Sequence, residues 1–222
     1  MARPRKFDEQ RVVGAVRLLF NETGYHGTSV DDLSRVTGLS KGSLYGAFGD
    51  KEALFQRVFD EYCASSEEGA AALLDGPEDQ ALDRIRDWLT APEGCADRRG
   101  CLLAKATAEL AWENDAVAAR SLAAFESLLD SCRQLVQQAQ RAGHLDPATD
   151  ATVLGGLILT TQRGLEALAK AGIDTEARNR IANALIDYIA FTPAPPTAGK
   201  VAEAPSLEPR DPPRPCGPVA QF

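Results

Sequence analysis

GLSKGSLYGAFGDKEAL, residues 38–54, carries small, hydroxylated or basic side chains where a solvated helix ordinarily carries long charged ones. Gly38 stops a preceding helical segment, Leu39 is an apolar turn residue, and Ser40 is placed to cap a short helix running to Gly46. Upstream, Thr28 can cap the short helix of SVDDLSRVT, with Asp31 three residues later. Two short helices joined by TGLS, behind an amphipathic helix from Phe7 to Thr23, form a helix-turn-helix pattern, whose second helix enters the DNA major groove. In that pattern Gly42 and Gly46 permit close approach to a duplex. Ser40, Lys41 and Ser43 offer donors to phosphate or base edges, and Tyr45 can set its ring and hydroxyl against the backbone. Leu44 and Phe48 are expected to face inward.

Composition agrees with helices. The 222 residues are 44% hydrophobic, enough for a packed core, and only 6% aromatic, with Ala and Leu dominating the apolar set. Residues 1–51 hold eight Lys and Arg against six Asp and Glu, a balance of +2, which leaves −10 for the remainder of a chain whose total is −8. Only the N-terminal block is suited to phosphate. No apolar run resembles a secretory signal or approaches the roughly 18 residues of a membrane span, so a cytoplasmic protein is expected. Five cysteines at irregular spacing, with two histidines, argue against a disulfide framework or a zinc site; no metal and no cofactor are expected.

Beyond the head, periodicity predicts an all-α chain of about nine helices. Asp50 caps the fourth, with Leu54, Val58 and Tyr62 on its apolar face; Pro77 to Leu89 is the fifth and Cys101 to Trp112 the sixth, after a loop over 91–100. The seventh carries Leu122, Phe125, Leu128, Leu129, Cys132, Leu135, Val136 and Ala139 on one face. For the eighth, Asp146 is the expected cap with Pro147 at the first helical position, and Val153, Leu157, Ile158, Leu165 and Leu168 its apolar residues. Asp174 caps the ninth, which bears Ile181, Leu185, Ile186 and Ile189. Nine of the chain's 13 prolines then fall between Pro193 and Pro218, which predicts a disordered tail or, less simply, a ligand for an SH3-type module.

The segment TSVDDLSRVTGLSKGSLYGAFGDKEALF resembles the N-terminal signature of the TetR family of transcriptional regulators, over roughly residues 7–55. The resemblance implies that Thr28 caps the second helix near a phosphate, with Ser29 beside it as a further contact. It implies that Gly38 and Ser40 make the turn, that Gly42, Leu44, Tyr45 and Phe48 form the reading-helix pattern, and that Lys51 begins the fourth helix. Many members have His where this chain has Ala47. It also implies a DNA-binding domain over 1–50, an effector-binding and dimerisation domain over 51–192, and a homodimer paired through its last two core helices. Gly155 and Gly156 in VLGGLILT are candidates for close helix approach in that intersubunit bundle. The expected partners are a double-stranded DNA operator and a small-molecule effector. The expected action is repression, relieved when the effector binds.

For the effector, Trp88, Trp112 and Phe125 on three successive helices are candidate cavity-lining residues, against ordinary packing. Glu109 is a candidate ligand contact or a solvated residue. Cys101, after Gly100 at the start of the sixth helix and behind Arg98 and Arg99, meets the conditions for a reactive thiolate, with Lys105 one turn on to stabilise the anion and Cys95 as a resolving thiol. The alternative for Cys101 is a small buried hydrophobe. The GCLL start also resembles that of TetR-like regulators which sense electrophiles or oxidants at this point. A thiol hydrolase pairing Cys101 with His144 is the rival class, without an acidic orienter or oxyanion-hole motif in evidence, so no enzyme is expected.

Overall fold

The computed structural model describes residues 7–90 and 100–190, and among them the regular structure is helical. The tail over 193–222, Cys95, Arg98 and Arg99 lie outside the described residues. The helices are α1 (Glu9–Thr23), α2 (Val30–Thr37), α3 (Lys41–Phe48), α4 (Lys51–Ala72), α5 (Ala81–Leu89), α6 (Leu102–Leu110), α7 (Asp115–Arg141), α8 (Ala151–Ala171) and α9 (Thr175–Ala190). None of these is long and apolar enough to cross a membrane.

Side-chain caps set most of the starts. Asp8, rather than Phe7, opens α1 by accepting from the Gln10 and Arg11 amides at 2.9 and 3.3 Å, and Asp50 caps α4 through the Ala53 amide at 2.8 Å. Ser40 caps α3, and Asp174 holds the first turn of α9 through the Ala177 amide at 2.7 Å. The segment before α5 opens with a 3₁₀ turn over Glu78–Gln80. Asp146 and Pro147 do not start α8. Residues 146–149 form a turn pinned to α7, because Leu145 is buried and the Gln140 amide donates to the Asp146 and Thr149 carbonyls at 3.0 and 2.8 Å. The helix begins one turn later, capped by Asp150.

Helices α1–α3 wrap around Val12, Val13, Val16, Leu33, Leu44 and Phe48. Behind them α7 and α8 form the most extensive helix pair, flanked by α4, α5, α6 and α9. The small buried residues Ala124, Ser131 and Ala139 let neighbours approach α7 closely. Gly155 completes that approach: a Cβ there would lie 2.8 Å from the Arg133 backbone nitrogen and 3.1 Å from its Cα. The close approach expected at an intersubunit bundle is therefore made by Gly155 within one chain, between α8 and α7. Several residues on the expected apolar faces are exposed on the single chain: Leu122 and Leu129 on α7, Val153 and Leu157 on α8, and Ile181 on α9.

The two adjacent glycines separate by environment. Gly155→Ala should destabilise the fold by about 1–3 kcal/mol, because backbone cannot yield as a side-chain tip can. At Gly156 an added Cβ meets only Leu129 Cδ2 at 3.9 Å, so Gly156→Ala should be neutral or stabilising by up to about 1 kcal/mol. Urea denaturation of the two variants checks the contrast.

Candidate functional site

The turn between α2 and α3 is built from the residues that the sequence pattern singled out. Gly38 ends α2 at φ 70°, a left-handed conformation that favours glycine, and its amide donates to Ser34 O. Ser40 Oγ then accepts from the Ser43 amide at 3.2 Å and shares a 2.9 Å hydrogen bond with Ser43 Oγ. Leu44 and Phe48 are buried, while Lys41, Gly42, Ser43, Tyr45 and Gly46 are exposed. An added Cβ at Gly42 or Gly46 would meet nothing within 4 Å, so this face of α3 is a low, open surface.

Thr28 is not the cap of α2. It is 1% exposed; its Oγ1 donates to Gly24 O at 2.6 Å and meets Thr23 Oγ1 at 2.7 Å, locking the α1–α2 turn from inside. Ser29 is the cap, in a reciprocal box with Asp32: Ser29 Oγ accepts from the Asp32 amide, and Asp32 Oδ2 accepts from the Ser29 amide, each at 3.1 Å. The chain offers a hydroxyl and an aspartate three apart at both 28/31 and 29/32, and burial of Thr28 decides between them. Hydrogen bonds from Ser29 and Arg35 hold the Asp32 carboxyl down at about 2.

Lys41 and Lys51 both have partners within the chain. Lys41 Nζ lies 2.8 Å from Asp31 Oδ1, which raises the lysine pKa. Lys51 Nζ sits 4.2 Å from the centroid of the Tyr25 ring, where burial lowers its pKa.

The core candidates divide. Cys101 caps α6 and is buried, with Arg163 Nη1 of α8 donating to its Sγ at 2.6 Å and Tyr62 OH of α4 at 3.5 Å. Burial and Cys101 push the Tyr62 phenol up. Arg163 also reaches Glu166 Oε2 at 3.0 Å, while its Nε and Gln162 Oε1 are buried with no hydrogen-bond partner among the described residues. This polar cluster inside the helices was missed by the sequence reading, because α4, α6 and α8 meet only in three dimensions. Burial drives the other core thiols up, Cys63 to about 12 and Cys132 to about 11. The hydrogen-bonding partners of Cys101 are thus a guanidinium, a phenol and a backbone amide, whereas His144 is exposed beyond the end of α7.

Lys105 and Glu109 do not line the core. Lys105 Nζ donates to the Asn21 and Glu22 carbonyls at 2.7 and 2.9 Å; burial first, then neighbouring Lys170, lowers its pKa to about 8. Glu109 Oε2 accepts from the Tyr25 amide at 2.8 Å. Trp112 is 80% exposed, its indole donating back to Glu109 O at 3.1 Å, so it stands in solvent. Trp88 and Phe125 are half-buried against the core. A cleft of about 260 Å³ opens between the head and the core, lined by Tyr25, Glu52, Phe55, Leu110, Glu113 and Asn114.

Residues 13–58 match the family described as "Bacterial regulatory proteins, tetR family", and residues 80–185 match "Tetracyclin repressor-like, C-terminal domain". Over 184 residues, 81% of this chain and 88% of the relative, the sequence is 26% identical to the HTH-type transcriptional repressor ComR of Escherichia coli. The crystal structure of a TetR transcriptional regulator from Chloroflexus aurantiacus is 30% identical, with TM-score 0.67 and coverage of 82% of this chain and 93% of that one. A cysteine mutant of the TetR family transcriptional regulator CifR, complexed with 26-base-pair double-strand operator DNA, is 25% identical, with TM-score 0.69 and coverage of 83% and 98%.

The capping box makes the head acid-sensitive. Asp32 ionises at about 2 in the folded chain against an ordinary 3.8, so the unfolded chain takes up the proton first and the box's contribution, complete above that ordinary value, is lost as pH falls toward 2. In Asp32→Ala the slope of stability against pH in this window should shrink by up to about one proton, read from urea titrations at successive pH values.

Proposed function

Because the chain belongs to the TetR family of transcriptional regulators, we propose that it is a homodimeric repressor whose α3 reads a palindromic operator and whose core answers to a small-molecule effector. The observation that carries this reading is the outer face of α3. Small and hydroxylated residues with one lysine are exposed there over a locked apolar underside, in a chain that is otherwise acidic. Ser40, Lys41, Gly42, Ser43 and Tyr45 meet the duplex, with Ser29 and Lys51 at flanking phosphates. Thr28 acts indirectly, by holding the turn that aims α2 and α3.

Dimerisation through α8 and α9 is supported by the surface they leave open. Val153 and Leu157, one turn apart on α8, are exposed, as are Ile181 and Tyr188, two turns apart on α9, with Leu185 half-buried between them. Large apolar side chains so grouped favour burial against a second copy. In this reading the DNA-binding domain spans 1–50, the effector and dimer domain spans 51–192, the protein is cytoplasmic, and the tail over 193–222 is dispensable. Trp88 and Phe125 remain as effector contacts. Binding of the effector to the core shifts the dimer to a head spacing that no longer fits both half-sites.

Sequencing of DNA fragments retained by the purified protein tests the reading. A palindrome with half-site centres about 34–36 Å apart, or a multiple, is expected, bound by a dimer; a monomer on one half-site refutes it. Lys41→Ala and Lys51→Ala should each weaken binding and reduce the slope of log affinity against log salt by roughly one unit.

A second reading is favoured by one contact, the 2.6 Å approach of Arg163 Nη1 to Cys101 Sγ, which sets a guanidinium beside a sulfur at a helix N-cap. Cys101 then makes the protein a thiol-based electrophile or oxidant sensor. N-ethylmaleimide, whose double bond takes the thiolate sulfur at one carbon and a proton at the other, should release wild type from the operator and leave Cys101→Ser bound. Equal release of both removes this reading.

A further inference from the structure

Five hydrogen bonds run in matching order between residues 100–113, which include α6, and residues 21–26 at the end of α1 and in the turn after it. Asn21 Nδ2 donates to Gly100 O at 3.1 Å. Lys105 Nζ takes the Asn21 and Glu22 carbonyls, Glu109 takes the Tyr25 amide, and Glu113 meets His26 at 2.9 Å. Lys105 and Glu109 are one helical turn apart on α6, so they share an edge, and Glu113 follows at the same interval just beyond its end.

The groups held at Asn21 and Glu22 are among the carbonyls that the C-terminus of a helix leaves unpaired, and an ammonium there also faces the negative end of the helix dipole. Lys105 therefore caps α1 from another part of the chain. Glu109 approaches so closely that a Cβ on Gly24, where φ is 78°, would clash with its carboxylate oxygens. Only glycine fits there without displacing the carboxylate. The Thr23, Gly24 and Thr28 hydrogen bonds close the α1–α2 turn on itself, next to Ser29, the cap of α2. Residues 21–26 thus lead through a closed turn into the cap of α2, which packs on both α1 and α3.

The backbone of α4 and the Phe20 and Tyr25 rings packed on Phe55 also join the head to the core, and the α6 edge adds directional polar contacts to that apolar packing. We propose that Lys105 and Glu109 are positioning residues that fix the rotational setting of the DNA-reading head on the core, and hence the operator spacing that a dimer accepts. This rests on the operator-binding reading above. It assigns to both residues a role other than effector contact.

The test uses the full-length chain and the double variant Lys105→Met Glu109→Ala, with Lys105→Arg as the conservative control. Hydrogen exchange, read without DNA, should show the amides of residues 24–28 exchanging on the order of tenfold faster in the double variant, with Leu33 and Leu44 unchanged. Operators lengthened or shortened between half-sites by one or two base pairs supply the second readout. Wild type and Lys105→Arg should prefer one spacing, and the double variant should lose about tenfold of that preference while binding an isolated half-site as wild type does. Unchanged exchange overturns the seam, and faster exchange with an unchanged spacing profile overturns the positioning role. If wild type binds no duplex, the operator reading fails, while exchange still decides whether the seam holds the head.

Discussion

Phe55 belongs to two cores at once. Its ring meets Phe20 of α1 edge-on at 5.1 Å, Tyr25 of the α1–α2 turn at 4.9 Å, and Phe59, one turn along its own helix, at 5.7 Å. Phe20, Phe55 and Phe59 are all fully buried. Aromatic pairs in such geometry contribute about 0.5–1.5 kcal/mol beyond the area that they bury. Because α4 carries both rings and runs unbroken from Lys51 to Ala72, the head is not a bead on a linker; its apolar interior continues into that of the remaining helices.

That arrangement leaves the outer surface of α3 free of structural duties. Leu44 and Phe48 lock the helix from beneath, so the residues above them are chosen without regard to packing. The lysines are held by interactions that are easily exchanged. Lys41 with Asp31 is an exposed pair screened by solvent, and a phosphate can replace either Asp31 or the Tyr25 ring as partner. A head built in this way keeps its shape while its charges change partners.

The core shows the opposite economy. Around Cys101 a guanidinium, a phenol and a carboxylate are enclosed among helices, where polar groups cost free energy unless each is satisfied. Arg163 Nε and Gln162 Oε1 are buried there with no hydrogen-bond partner among the described residues. α6 begins at this cluster and ends against the head, so one short helix has its cap in the core and its flank on α1.

The amino-acid pattern by itself determined the all-helical class, the head and its turn, and the residues presented by α3. Those depend on local chemistry: a glycine at positive φ, hydroxyl and carboxylate caps, and apolar spacing within one helix. Where two local solutions were equivalent, tertiary structure decided. Thr28 went inward and Ser29 took the cap; Asp150 displaced Asp146 because Leu145 and Gln140 anchor the intervening turn to α7. Periodicity marks an apolar face but not what covers it: Leu122 and Leu129 on α7 and Val153 and Leu157 on α8 are exposed, while Gly155 serves contact within the chain. Lys105, Glu109 and Trp112 were equally beyond reach, since their partners or surroundings depend on how α6 lies against α1. Caps and turns are set by neighbours a few residues away, whereas a long side chain on a helix is placed by whichever distant segment packs beside it.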